Sequence, residues 1–375
     1  DPHIHLWDPR SNPRPASPFV RLLGWNRELL RTVPRLLLPE ATREFVGRTD
    51  YLLAPYLPPT YAADHGEHQV EGYVYVEASW TGRGRLAAAD ETRWVEQLAQ
   101  RHDAEGPRLV AIVGAADLRR DDLGELIRAH RAASPRLRGL RDKLAWSLDR
   151  GVMDFADAPG LLGDPAWRRG FASLADHDLS FDAWVYLDQI NALDDLLRAQ
   201  PRVRVVLDHL ATPVGAGGPF AGQGADEAAQ AAIRRRWHDA IARLAEHPQL
   251  HVKLSGMFMP VVGWGLHQRS APVTTEQVRQ ALAPFVEHAL ACFGVERCMF
   301  ASNFPMDKVS MSYERLYDAY RALVAERPAA EQRALFHDNA LRFYGPIGGP
   351  AGGPAGGPAS APPGAQDPSR EEPAP

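Results

Sequence analysis

Residues Gly72-Tyr-Val-Tyr-Val-Glu-Ala-Ser79 form a short run rich in β-branched and aromatic side chains. A segment of helical spacing follows at Ala87–His102, and then a second short run, Arg108-Leu-Val-Ala-Ile-Val-Gly114. Runs this short and apolar read as parallel strands covered on both faces, and the helix between them reads as a βα crossover. Working outward, the alternation continues in both directions. One run occupies the start of the chain through His5; others are Arg136–Arg141, Leu179–Tyr186, Val203–His209, Leu250–Gly256 and Cys298–Asn303. Helical spacing recurs at Asp122–Ala132, Pro165–Asp176, Gln189–Ala199, Asp226–His247 and Thr274–Phe293. Eight runs, most followed by a helix, predict an α/β chain folded as a (β/α)8 TIM barrel. A doubly wound open sheet is the alternative, weakened because no glycine-rich phosphate loop follows any run.

Two connections exceed the usual few residues and are expected as long rim loops over the mouth of the barrel. They run from Leu6 to about Val70 and from Ser255 to Val273. The barrel is expected to occupy residues 1–345. Its first strand is expected to be truncated at the N-terminus, so a leading peptide before Asp1 stays open. Residues 346–375 hold nine Pro and seven Gly, with a GGPA repeat, and predict a disordered tail that truncation after Gly345 would leave unmissed. No apolar run reaches the roughly 18 residues of a membrane span, so no membrane partner is expected. The net charge of −5 argues against nucleic acid. Cys292 and Cys298 make neither a disulfide framework nor a four-cysteine metal site; they read as inert core thiols. A cytoplasmic location and a small-molecule substrate are expected, with the oligomeric state open.

His3 and His5, two apart, point to one face of the first strand, where converging imidazoles suit a divalent metal or hydrogen-bonded strand capping. Asp208 precedes His209, so strand alternation turns it from that histidine's face, toward a structural role. Asp307 follows Asn303 by four residues, as a general base or as a helix cap and partner for Lys308. Glu77, at the end of its run, is the other candidate carboxylate, or an ion-pair partner for a mouth arginine. The chain has 39 Arg and three Lys, Lys143, Lys253 and Lys308, and Lys253 is favoured for the pocket. Arg141 presents a fork suited to a carboxylate, or a rim ion pair with Asp142 or Glu77. Trp184 and Trp264 suit a sugar or flat ring, or simply a packed wall. No GxSxG elbow is present, which removes the usual serine-hydrolase reading.

Three segments form an ordered set: Asp1-Pro-His-Ile-His-Leu-Trp-Asp8, Val206-Leu-Asp-His-Leu210, and Cys298-Met-Phe-Ala-Ser-Asn-Phe-Pro-Met-Asp-Lys308. With Val76-Glu-Ala78, Gly139-Leu-Arg141 and Val252-Lys-Leu-Ser-Gly256, the set resembles the amidohydrolase superfamily, in particular its second family of TIM-barrel hydrolases, which includes lactonases. The resemblance spans residues 1–345. It implies metal ligation by His3 and His5, and a role for His209 either as a ligand or in polarising a substrate carbonyl. Two departures stand out. The fifth run offers Asp182, Trp184 and Tyr186 where metal-dependent members supply a histidine, and the eighth holds Asn303 where they supply an aspartate. An amide neither accepts a proton from water nor binds a metal well. The resemblance therefore implies a lactone hydrolase with no obligatory cofactor, or with a weakly bound divalent metal such as zinc on His3, His5 and His209. In that reading His209, Asp307 and Glu77 act in catalysis, and Arg141, Lys253, Trp184 and Asn303 bind substrate. Decarboxylation of an aromatic acid, or a degenerate barrel that binds without turnover, are the alternatives.

Overall fold

The computed structural model describes residues 1–345; the Pro/Gly-rich tail expected at 346–375 lies outside them. Seven strands make one parallel sheet in sequential order: β1 (Gly72–Val76), β2 (Arg108–Ala115), β3 (Leu137–Arg141), β4 (Ser180–Ala183), β5 (Val205–Leu207), β6 (Leu250–Leu254) and β7 (Cys298–Phe300). Each lies within an expected run, β2 passing its end by one residue, and β1, β4, β5 and β7 are buried along their whole length.

The first expected strand is not a regular one. Residues 1–6 instead bridge at Ile4 to Tyr75 on one side and Phe304 on the other, joining the two edges of the sheet. Ile4 N–H donates to the Val74 carbonyl at 3.1 Å and His5 N–H to the Phe304 carbonyl at 2.8 Å. Pro2, which lacks an N–H, leaves little room for a longer ladder. The consequence for the site is direct: His3 and His5 are clamped between β1 and the loop after β7.

The connection from Leu6 to Val70 is not an open loop. It folds into five short helices, α1 (Ser17–Leu23), α2 (Arg27–Leu37), α3 (Glu40–Val46), α4 (Asp50–Leu53) and α5 (Pro58–Asp64). Asn26 starts α2 by accepting from the Glu28 and Leu29 N–H groups at 3.0 and 3.2 Å. The crossover helices are α6 (Ala88–His102), α7 (Leu123–Ala133), α8 (Pro165–Ser173), α9 (Ile190–Ala199), α10 (Glu227–Leu244) and α11 (Thr275–Phe293). Their starts are chemically marked. Asp164 caps α8 ahead of Pro165, Asp226 caps α10, and Thr274 with Gln277 closes a reciprocal box on α11. Three further helices, α12 (Tyr313–Leu323), α13 (Ala329–Arg333) and α14 (Asn339–Tyr344), complete the described chain. Phe343 and Tyr344 of α14 pack with Val74, Val113, Val206 and Met299 of the strands. No helix among the described residues is long and apolar enough to cross a membrane.

Candidate active site at the strand ends

Beyond β5 the chain leaves strand geometry abruptly. His209, Leu210, Ala211 and Thr212 all have positive φ, 55°, 52°, 59° and 36°. This left-handed turn ends the two-residue alternation, so Asp208 and His209 both face the interior. The expectation that Asp208 points away is therefore corrected: its Oδ1 lies 3.2 Å from His3 Nδ1 and 3.2 Å from Lys253 Nζ, and its Oδ2 3.6 Å from Arg141. All four side chains are buried. Gly256, at φ 67°, makes room for the His209 ring, since a Cβ there would stand 2.4 Å from its Cγ.

The three histidines have distinct commitments. His5 Nδ1 faces the Val76 carbonyl at 2.9 Å. A carbonyl only accepts, so Nδ1 carries the proton and Nε2 keeps its lone pair. His209 Nδ1 lies 2.9 Å from the Ser255 hydroxyl, which both donates and accepts, so either tautomer can form. His3 Nε2 is buried without a hydrogen-bond partner. Burial lowers the pKa of all three: His5 to about 4, His209 to about 3, and His3 well below its ordinary value. They are neutral imidazoles at physiological pH.

Ligand atoms of His3, Asp208 and His209 lie within 4.8 Å of one another. The group of three expected from sequence changes by one member: Asp208 joins it and His5 stands beside it, turned to the cavity. This donor set suits a divalent cation. His3 offers an unpartnered nitrogen, and neither oxygen of Asp208 makes a well-formed hydrogen bond. Burial opposes ionisation of Asp208, yet Lys253 and His3 hold it well below the usual carboxylate range. Three buried carboxylates, Glu77, Asp182 and Asp208, here face two cations, Arg141 and Lys253.

Lys253 was expected in the pocket and is found beneath it. It is fully buried between Asp182 at 2.5 Å and Asp208, because the middle of β6 points into the sheet interior. Asp182 also accepts from the Tyr344 hydroxyl at 2.9 Å, tying this layer to α14. Arg141 does line the cavity, and its fork is engaged. Nε and Nη2 donate to Glu77 Oε1 at 3.0 and 2.7 Å, and Nη2 also donates to the Glu77 carbonyl. Burial would raise the Glu77 carboxyl, but Arg141, with help from Lys143 and the Ser79 N–H, brings it to about 2. Asp307 is fully buried behind Asn303, whose amide donates to its Oδ1 at 3.2 Å. With no cation beside it, burial pushes that carboxyl up to about 8. Lys308 pairs with Asp64, not Asp307, and Lys143 is exposed.

Asn303 and Trp184 line the cavity; Trp264 does not, its indole donating instead to the Met257 carbonyl. Trp184 donates to the Thr212 hydroxyl at 2.9 Å and its ring meets His209 edge to face. One lining cation carries no sequence signal. Arg14 lies over the Trp7 ring at 4.6 Å and makes no ion pair within 4.0 Å among the described residues. Cys292 and Cys298 are free, and burial raises both thiols; Cys298 lies in the core as expected, whereas Cys292 is half-buried with its Sγ 3.5 Å from His288 Nε2.

Buried imidazoles gathered at the ends of parallel strands, over an inner layer of carboxylates and a lysine, define a class of barrel hydrolase site. The chain belongs to the amidohydrolase family, whose profile matches residues 1–345. It is 30% identical over 344 residues to the uncharacterised protein y4mH of Sinorhizobium fredii, covering 92% of this chain and 97% of that one. Over 265 residues it is 30% identical to an L-fucono-1,5-lactonase of Burkholderia ambifaria, covering 69% and 77% of the two chains. Among solved structures, an amidohydrolase of Burkholderia multivorans shares its fold, 24% identical and covering 92% of this chain and 98% of that one. The TM-score is 0.67 for its form with bound HEPES and 0.65 for its form with bound zinc.

Proposed function

We propose that the protein is a hydrolase that opens a lactone by adding water to the ring carbonyl. The observation that carries this reading is the His5 side chain: a neutral imidazole at the cavity wall whose Nε2 lone pair is fixed by the Val76 carbonyl. Likeness to an L-fucono-1,5-lactonase supports a cyclic ester as the substrate class.

In this reading His5 Nε2 takes a proton from the attacking water as oxygen bonds to the carbonyl carbon. The oxyanion that develops meets two donors. One is His209 Nε2–H, in the tautomer set when Ser255 donates to Nδ1; the other is Arg141 Nη1, which makes no hydrogen bond to Glu77 and has only the longer 3.6 Å contact with Asp208. Collapse breaks the ring C–O bond, and His5 returns its proton to the departing alkoxide, giving the hydroxy acid. Glu77 orients Arg141. As proton acceptors, the two carboxylates proposed from sequence are poorly suited: Glu77 is too acidic at about 2, and Asp307, at about 8, is protonated and screened by Asn303. A divalent metal such as zinc, held by His3, Asp208 and His209, would take the place of the His209 N–H donor and supply Lewis-acid polarisation of the carbonyl. Lys253 against Asp208 weakens the hold on such an ion, so the metal is proposed as accessory.

The test is acid release from a lactone panel, with and without chelator, for the protein and for His5→Ala. Removal of a general base should lower kcat/KM by about 10²–10⁴-fold. An unchanged rate would remove His5 from the mechanism. Absence of acid from every lactone, or CO₂ released from an aromatic acid, would sink the hydrolase reading.

A further inference from the structure

The cavity has two unlike ends. Its floor, built from strand termini, carries His5, Glu77, Arg141, His209 and Asn303. The facing wall comes from the helices inserted between Leu6 and Val70 and presents Phe19, Pro34, Leu38, Phe45, Leu52 and Leu53. Two hydroxyls, Thr42 and Thr49, and at one edge the Arg14 guanidinium lying over Trp7, interrupt that apolar surface. Phe155, packed against Phe45 at 5.1 Å and Trp184 at 4.4 Å, continues it across the mouth. The Trp184 indole N–H is already bonded to Thr212, so this ring too offers the cavity only its hydrocarbon face.

A sugar lactone carries hydroxyls around its ring, and each loses its water on entering. Against this wall most of them would find no partner, a loss felt in every binding step. An alkyl or aryl group has the opposite preference, because each buried methylene gains from leaving water. The floor already supplies what the ester group of such a molecule needs.

We infer that the substrate is a lactone bearing an alkyl or aryl substituent, with its ester on the strand-end floor and the substituent against the helical wall. The inference rests on the proposed lactonase reading and deepens it by naming the substrate class. The ring carbonyl faces His5 and His209, and the substituent replaces water along Phe19, Leu38 and Phe45. The relative named for a sugar lactone is thus a guide to the reaction and not to the substituent.

The experiment compares δ-lactones with side chains of none to six carbons against L-fucono-1,5-lactone and glucono-1,5-lactone. Expected is a rise in kcat/KM of about three- to fourfold per methylene over the first carbons, with the sugar lactones slowest. Leu38→Gln, at a half-buried position chosen to spare the fold, should flatten that dependence on chain length, with Tm measured alongside. Sugar lactones turned over faster than the alkyl series would overturn the inference while leaving the lactonase reading in place. If no lactone is opened, the lactonase reading falls, and thermal-shift titration with 5-hydroxydecanoate and with gluconate decides the wall on its own. A shift from hydroxydecanoate alone supports an apolar ligand; equal shifts, none, or one from gluconate alone overturns it.

Discussion

Asp307 carries a carboxyl that burial pushes up to about 8, with the Asn303 amide its polar neighbour. Between its unfolded value of about 4 and its folded value of about 8, the native state holds a proton that the unfolded chain releases. Stability from this residue is therefore present at low pH and falls as pH rises through that window. Asp307→Asn should remove the penalty, with a gain in Tm that grows from about pH 4 to about pH 8 and then levels. The same carboxyl separates two mechanisms: kcat/KM climbing toward pH 8 would restore Asp307 as the base, whereas a level profile leaves the role with His5. Asn303 gives a second test. Asn303→Asp adds a charge at the cavity floor, opposite a protonated partner able to donate to it. Zinc per chain, measured after dialysis, should rise relative to the unsubstituted protein. Unchanged zinc content would mean that Asn303 lies outside the reach of the ion. At this scale the sequence exposed residue types better than their surroundings. His3, His5 and His209 were legible from motif and spacing, but the carboxylate that occupies Arg141 and the burial of Lys253 are set by contacts 64 and 71 residues distant in the chain.

The turn after β5 shows why one expectation inverted. Alternation holds only while the backbone is extended, and β5 ends at Leu207, one residue before the Asp-His pair. Nothing in the composition of Asp208–Thr212 marks a left-handed turn, because no glycine stands there. Such φ values strain L-residues by about 1–2 kcal/mol each. Ala211→Gly should therefore be neutral or stabilising by up to about 1 kcal/mol, once the added freedom of the unfolded chain is offset. The companion change runs the other way. Gly256→Ala puts a methyl against the His209 ring and should lower both Tm and activity, by roughly 1–3 kcal/mol in stability. Denaturant midpoints for the two variants check both signs. The crossover helices were read to within a few residues because Asp164, Asp226 and Thr274 mark their starts. The five inserted helices were missed for the converse reason: none exceeds 11 residues, and prolines at 18, 34, 39 and 58 interrupt their periodicity.

Across the whole molecule, apolar surface is distributed unevenly. The core lies around the sheet, while Leu22, Leu36 and Leu37 on the inserted helices α1 and α2, and Trp25 in the turn between them, are exposed by 72%, 73%, 67% and 77%. Apolar side chains exposed to this extent should bind the dye ANS in the native state. Replacing all four with Gln should abolish the fluorescence enhancement without lowering the folded fraction, and an unchanged signal would place the dye elsewhere. The insertion also divides the protein's inheritance. Its five helices are encoded in one uninterrupted stretch, whereas the floor is assembled from strand ends scattered along the chain. A crossover that exchanged the stretch as a block could hand a descendant a new clientele of substrates and leave the reaction untouched.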